Sequence, residues 1–177
     1  MKQIFLLFLL LSTIQLLAQK KYNGYAFLGP AIYFNTKSSD DILYGGTFGF
    51  SHLTKRAAIG LTVDFLTQEN SGIYMPVYGD LHGFLSNKTE GVFILAQPGY
   101  IIRSKTFING PGYKISESGG FYFGAGLGFV SKILKTGFTC QLKYVLFNTQ
   151  VNSSVYGGDQ KINNTTKAVA MSLAVAF

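Results

Sequence analysis

The chain has a single cysteine and no tryptophan among its 177 residues. One thiol, Cys140, cannot form an intrachain disulfide, so the fold must hold without covalent staples. Beyond residue 18 no apolar run reaches the roughly 20 residues that a membrane-crossing helix needs. If the chain enters a bilayer it must do so as strands, since only helices and closed barrels satisfy every backbone group in lipid. Histidine occurs twice, as His52 and His82. No group of His, Cys, Asp and Glu has metal-ligand spacing, so no metal site is expected.

The start of the chain is read as a secretory signal peptide. Lys2 precedes an apolar run from Ile4 to Leu17, interrupted only by Ser12, Thr13 and Gln15 and followed by the small residue Ala18. The expected division is residues 1–18 as signal peptide and 19–177 as one domain, a length within the usual range for a single core. With no cysteine near that junction, a lipoprotein anchor is not expected.

What the chain has in quantity is glycine, 21 residues, with 11 Tyr and 16 Phe. That mixture suits short aromatic-rich strands punctuated by turns. Alternation of period two is plainest at the end, where Val169, Met171, Leu173, Val175 and Phe177 face one way and Ala168, Ala170, Ser172, Ala174 and Ala176 the other. It recurs in Ala57, Ile59, Leu61, Val63 and Phe65, and again in Phe121, Phe123, Ala125, Leu127 and Phe129. Cys140 falls in step with Phe138, Leu142 and Tyr144 and reads as a small apolar wall residue. Eight strands are expected, at 23–34, 42–53, 57–66, 73–85, 92–102, 120–130, 137–147 and 166–177. In the first, Tyr25 and Phe27 compete with Leu28, Ile32 and Phe34 for the outer face, so its register stays open. Short links at 54–56, 86–91 and 131–136 alternate with others at 35–41, 67–72, 103–119 and 148–165, the last two being long. Outer-membrane barrels have this alternation of short periplasmic turns and longer external loops.

The polarity of the alternation separates a membrane barrel from a soluble one. A lipocalin-like carrier keeps bulky apolar residues for its cavity and polar ones for water. Here the bulky face is almost free of charge, whereas the opposite face carries Asp64, Asp80, His82, Gln97, Gln141 and Lys143. Lys143 on a lipid-facing wall would cost about 2–4 kcal/mol near the midplane, and its parity with Thr139 and Gln141 turns it toward the lumen. Strand three lies across an eight-stranded lumen from strand seven, which brings Asp64 within reach of Lys143. Small inward residues, among them Gly60, Gly124, Gly126 and Gly128, leave the interior volume open, and with it the alternative of a narrow water-filled passage.

Ile73 to Phe84 (IYMPVYGDLHGF), Gly119 to Phe129 (GGFYFGAGLGF) and the terminal Phe177 together resemble the small outer-membrane β-barrel domain family, porin-like and related in shape to OmpA and OmpX. The resemblance covers essentially the whole chain after residue 18. It implies an eight-stranded antiparallel up-and-down transmembrane barrel in the cell outer membrane, in contact with outer-membrane lipids. It also implies insertion by the outer-membrane barrel assembly machinery, which recognises a terminal aromatic strand such as the one ending at Phe177. It implies no single activity and no cofactor.

The formal net charge of +7 does not point to nucleic acid. On the expected topology seven cations, Lys20, Lys21, Lys55, Arg56, Lys88, Lys132 and Lys135, gather at the periplasmic rim against Glu90 alone, where they suit anionic headgroups. The external side is nearly balanced, and no basic groove of stacked aromatics is visible. Catalysis is not expected either. Barrel enzymes of this size use His with Ser and a carboxylate, but His52 and Ser51 fall at the periplasmic end, and His82 has Asp80 on its face without a serine at useful spacing. The expected role is that of a monomeric barrel acting structurally or through its external loops on an unidentified surface partner. The alternatives are a narrow ion or small-solute channel and a soluble periplasmic carrier.

Overall fold

The computed structural model describes residues 24–36, 42–68, 72–86, 90–108, 114–133, 136–155 and 158–176. The expected signal peptide at 1–18 and the terminal Phe177 lie outside the described residues. Eight strands follow one another: β1 (Gly24–Asn35), β2 (Ile42–Leu53), β3 (Ala57–Gln68), β4 (Gly72–Phe84), β5 (Gly91–Ile108), β6 (Lys114–Ile133), β7 (Thr136–Val155) and β8 (Gly158–Ala176). Each pairs antiparallel with the next, and β1 pairs with β8 from Phe27 opposite Ala176 to Asn35 opposite Ala168. The sheet is therefore a closed up-and-down barrel without a free edge over that height. No described helix is long and apolar enough to cross a membrane.

Alternation along the strands sorts the side chains. Outward stand Leu28, Ile59, Phe65, Leu127, Leu142 (57% exposed) and Leu173 (54%), whereas inward-facing Asp64 (0%) and Lys143 (2%) are sealed. This is a water-soluble barrel inverted. Cys140 is exposed on the outer wall. The open register of β1 is settled by its burial: Phe27, Ala31 and Tyr33 point inward, and Leu28 and Phe34 outward.

At the lower end, where β1 begins and β8 finishes, turns are tight. Thr54 closes the β2–β3 link through its amide to the Ala57 carbonyl at 2.8 Å, and its hydroxyl accepts from the Ala57 amide at 3.1 Å. Gly91, with φ of 100°, opens β5 in a conformation that side chains with a Cβ rarely adopt.

The upper end corrects the expected loops. The stretches 103–119 and 148–165 are not long loops but continuations of the ladder, which runs to Ile108 opposite Lys114 and to Val155 opposite Gly158. The first four strands end close to their expected limits, whereas β5 to β8 overrun theirs. Pairing in water rests on cross-strand hydrogen bonds and needs no apolar outer face, so Asn, Thr, Ser and Val continue the strands after the apolar stripe has stopped. The register shifts between Ile101 and Ser104 and between Ser118 and Tyr122, at the level where the stripe ends. Such irregularities bend a sheet and raise its twist.

Candidate functional site

The interior is filled in layers. At the bottom Leu53, Ala58, Phe84, Phe93, Leu95 and Val130 form an apolar plug. Small residues on β6 make room for its largest member, because a Cβ at Gly128 would run into the Phe93 ring. Gly128 thus accommodates a large side chain from the neighbouring strand, whereas a Cβ at Gly60 or Gly126 would meet the neighbouring strand's backbone.

Above this plug lie the six polar lumen residues named from the sequence, all buried. His82 meets Asp80 through Nε2 at 2.8 Å from Oδ1, and its ring stacks on Phe93 with centroids 4.2 Å apart. Gln97 Nε2 donates to the same Asp80 oxygen at 2.7 Å and to Gln141 Oε1 at 3.2 Å. Lys143 Nζ donates to Gln97 Oε1 at 2.8 Å and to the Tyr78 hydroxyl at 2.9 Å, and stands 3.7 Å from Asp64 Oδ2. Tyr78 in turn donates to both Asp64 oxygens at 3.0 Å. Two carboxylates, one ammonium and one imidazole thus share a continuous set of hydrogen bonds, the condition under which charges persist in a low-dielectric interior.

Sequence reasoning missed the tyrosines that complete this set. Tyr33 donates to Asp64 and lies 3.1 Å from the Tyr122 hydroxyl, while Tyr122 stacks on Tyr78 with ring planes 13° apart. Lys143 Nζ sits 4.6 Å from the Tyr78 ring centre, a favourable cation–π placement. Thr62 reaches Asp80 at 3.3 Å, and Tyr25 reaches His82 Nδ1 at the same distance. The signal for Tyr78 was its parity with Asp80 and His82. For Tyr33 it was hidden in the undecided register of β1.

His52 and Ser51 do not come together: Ser51 is buried inside, whereas His52 is exposed on the outer face. Among the described residues no group of three His, Cys, Asp or Glu side chains is placed to hold a metal ion.

Over the tyrosine layer the lumen opens into a cup of about 110 Å³ at the upper mouth. Its lining includes the rings of Tyr33, Tyr74 and Phe147, with Asn35, Gln68 and Thr166 at its polar edge. Tyr74 and Phe147 meet edge to face, centroids 6.2 Å apart, and the Arg103 guanidinium lies 3.7 Å from the centre of the Tyr74 ring. Arg103 is also paired with Glu117. The tall strands continue above this cup on one side only.

No family model and no curated protein matches the chain. Among solved structures it is similar to outer membrane protein AlkL, determined by solid-state NMR in DMPC lipid bilayers, with a TM-score of 0.57 and 13% sequence identity over 87% of this chain and 89% of that one. At that identity the likeness is one of fold, an eight-stranded closed barrel.

Proposed function

We propose that this chain is an integral outer-membrane barrel with a sealed lumen, whose non-catalytic role is structural or is exercised on a surface partner at its upper, one-sided rim. The observation that carries the reading is the inversion of polarity: a girdle of half-exposed aliphatic and aromatic residues surrounds an interior that holds Asp64, Asp80, His82 and Lys143. A girdle of this kind in water would be a large aggregation surface, whereas lipid takes it up without cost. The fold shared with a protein studied in lipid bilayers supports the same reading. A soluble carrier would need the opposite arrangement. For a channel, ions would have to break the connections among Tyr33, Asp64, Tyr78, Gln97 and Lys143 and pass the apolar plug beneath them. The proposed partners are outer-membrane lipids and, during biogenesis, the barrel assembly machinery, and the proposed state is monomeric.

The test is electrophoresis of isolated outer membranes in detergent with and without boiling. A folded barrel resists the detergent and migrates differently until heated, so a heat-dependent shift is expected in that fraction. Recovery of the protein in the soluble fraction, with no shift, would overturn the reading. Planar-bilayer recording of the heat-shifting protein is expected to show no unitary conductance, and steady conductance lost in Lys143→Leu would establish a channel instead.

A further inference from the structure

We infer that the outer face of the tall wall, where β6, β7 and β8 rise above the apolar girdle, is a docking surface for the phosphorylated sugar headgroup of a glycolipid in the surrounding leaflet. This deepens the surface-partner reading and rests on the upper rim being the external one. Parity builds the face. The ladder between β7 and β8 is unbroken, so the outward positions that carry Leu142, Tyr144, Val169 and Met171 in the girdle continue straight upward. Leu146 pairs with Lys167, Asn148 with Thr165, Gln150 with Asn163 and Asn152 with Lys161. On the other side of β7, β6 adds Ser116 opposite Asn152 and Ser118 opposite Gln150. The two lysines, Asn148, Asn152, Asn163 and Thr165 are exposed.

Above Leu146 the wall thus changes from hydrocarbon to hydroxyl, amide and ammonium. No acidic residue stands on these outward positions. Glu117 of β6 is turned to the inner face, where it pairs with Arg103, and Asp159, opposite Ser154, comes above them. Two cations without an acidic residue on their stretch of the face attract an anion, and the amides and hydroxyls between them donate and accept as a sugar's hydroxyls do. A phosphorylated sugar engages both kinds of group. Exposed charge pairs are individually weak, so the acyl chains matter: lying on the girdle directly below, they hold the headgroup against the wall at high local concentration.

Height separates this ligand from an ordinary phospholipid. Lys161 stands above Lys167 by about 20 Å along a strand rising about 3.3 Å per residue, which is about 15 Å of height at the usual strand tilt. The polar layer of a phospholipid leaflet is only about 5–8 Å deep, enough to reach Lys167 and not Lys161. A headgroup that meets both lysines while its chains lie on the girdle must be built of linked sugars. The described strands of the short half, β1 to β4, stop near the top of the girdle, so the ligand is held on one side of the barrel.

The test is native mass spectrometry of the heat-shifting protein in detergent micelles, titrated with a deep-rough lipopolysaccharide, an acylated disaccharide carrying phosphates and a short phosphorylated core. Its dephosphorylated form, its deacylated saccharide and phosphatidylglycerol are titrated beside it. The lipopolysaccharide is expected to bind about tenfold more tightly than each of the other three. Lys161→Gln and Lys167→Gln are each expected to weaken it about threefold, and Lys161→Gln to leave phosphatidylglycerol binding unchanged. Lys55→Gln, at the lower rim, should alter neither. Phosphatidylglycerol binding as tightly as the lipopolysaccharide would make the face a general anionic-lipid surface and overturn the inference. Equal binding of the dephosphorylated form or of the deacylated saccharide would overturn it too, in favour of a neutral glycan or a soluble one. Which way the wall faces is read separately, from labelling of Ile162→Cys, on the wall's other face, in a Cys140→Ser background with an impermeant maleimide. Labelling is expected on intact cells. Labelling only after lysis would put the wall in the periplasm and overturn the leaflet assigned to the ligand, while the barrel reading, judged by the heat-dependent shift, would stand.

Discussion

The two halves of the barrel differ in height, with β1 to β4 of 12 or 13 residues and β5 to β8 of 18 to 20. Over the height they share, both halves are built the same way, with a bulky apolar outer face and a packed interior. Above it only the tall half continues, held by its ladder, and β8 there has exposed residues on both faces from Gln160 to Thr165. Closing the barrel and shaping its upper mouth are thus separate tasks carried by separate stretches of the same strands. Inside, the division recurs in charge: the buried carboxylates Asp64 and Asp80 belong to the short half, and the ammonium of Lys143 to the tall half. The hydrogen-bonded set across the lumen is a brace between the two.

The largest effect should come from breaking that brace. Lys143→Met leaves Asp64 and Asp80 buried without their cation, and removal of one partner from a buried ionic set costs about 3–5 kcal/mol. Urea titration of the protein in lipid vesicles, followed by the heat-dependent shift, measures it. Adding Asp64→Asn to Lys143→Met should recover part of the loss, because the second change removes a charge that the first left uncompensated. If Lys143→Met costs less than about 1 kcal/mol, within the range of ordinary surface changes, the brace does not hold the halves together.

A second test separates the shared height from the wall above it on one strand. Leu173 and Thr165 have the same outward parity on β8, but Leu173 lies in the apolar girdle and Thr165 beyond it. Leu173→Arg is expected to lower stability in lipid by about 2–4 kcal/mol, and Thr165→Arg by no more than about 1 kcal/mol. Equal costs, read from the same urea titration, would mean that the girdle does not mark the hydrocarbon layer.

Much of the shared height was legible in the sequence because a wall that is bulky and apolar outside and small or polar inside imposes a chemical alternation that period-two reading detects. Asp64, Gln141 and Lys143 stood out as polar residues in step with small ones, and parity alone placed them on one face. The tall wall left no such mark. Asn148 to Val155 and Gly158 to Lys167 are polar at nearly every position, and polarity without alternation reads as loop even where the backbone is fully paired. The tyrosines of the lumen were missed for another reason. A phenol is bulky enough to be taken for wall, and only the hydroxyl, pointing at a buried carboxylate, shows that it belongs inside. The cup was not legible at all, since its lining comes from six strands whose relative heights depend on the stagger around the closed sheet.

The smallest effect should follow from shortening the tall half. Deleting residues 150–163 and joining Thr149 to Asn164, its partner across the ladder, through an Asn-Gly pair gives a two-residue hairpin turn of the type that matches strand twist. The deleted stretch contributes no residue to the hydrophobic clusters that fill the barrel and none to the hydrogen-bonded brace. Its ladder bonds exchange for bonds to water on unfolding, so their net contribution is modest. Local regions of this kind open independently of the core. The shortened chain is therefore expected to keep its heat-dependent shift and to unfold within about 1 kcal/mol of the full-length protein. A larger loss would mean that the tall strands help to close the barrel, and the separation between closure and mouth would fail where it is most open to test.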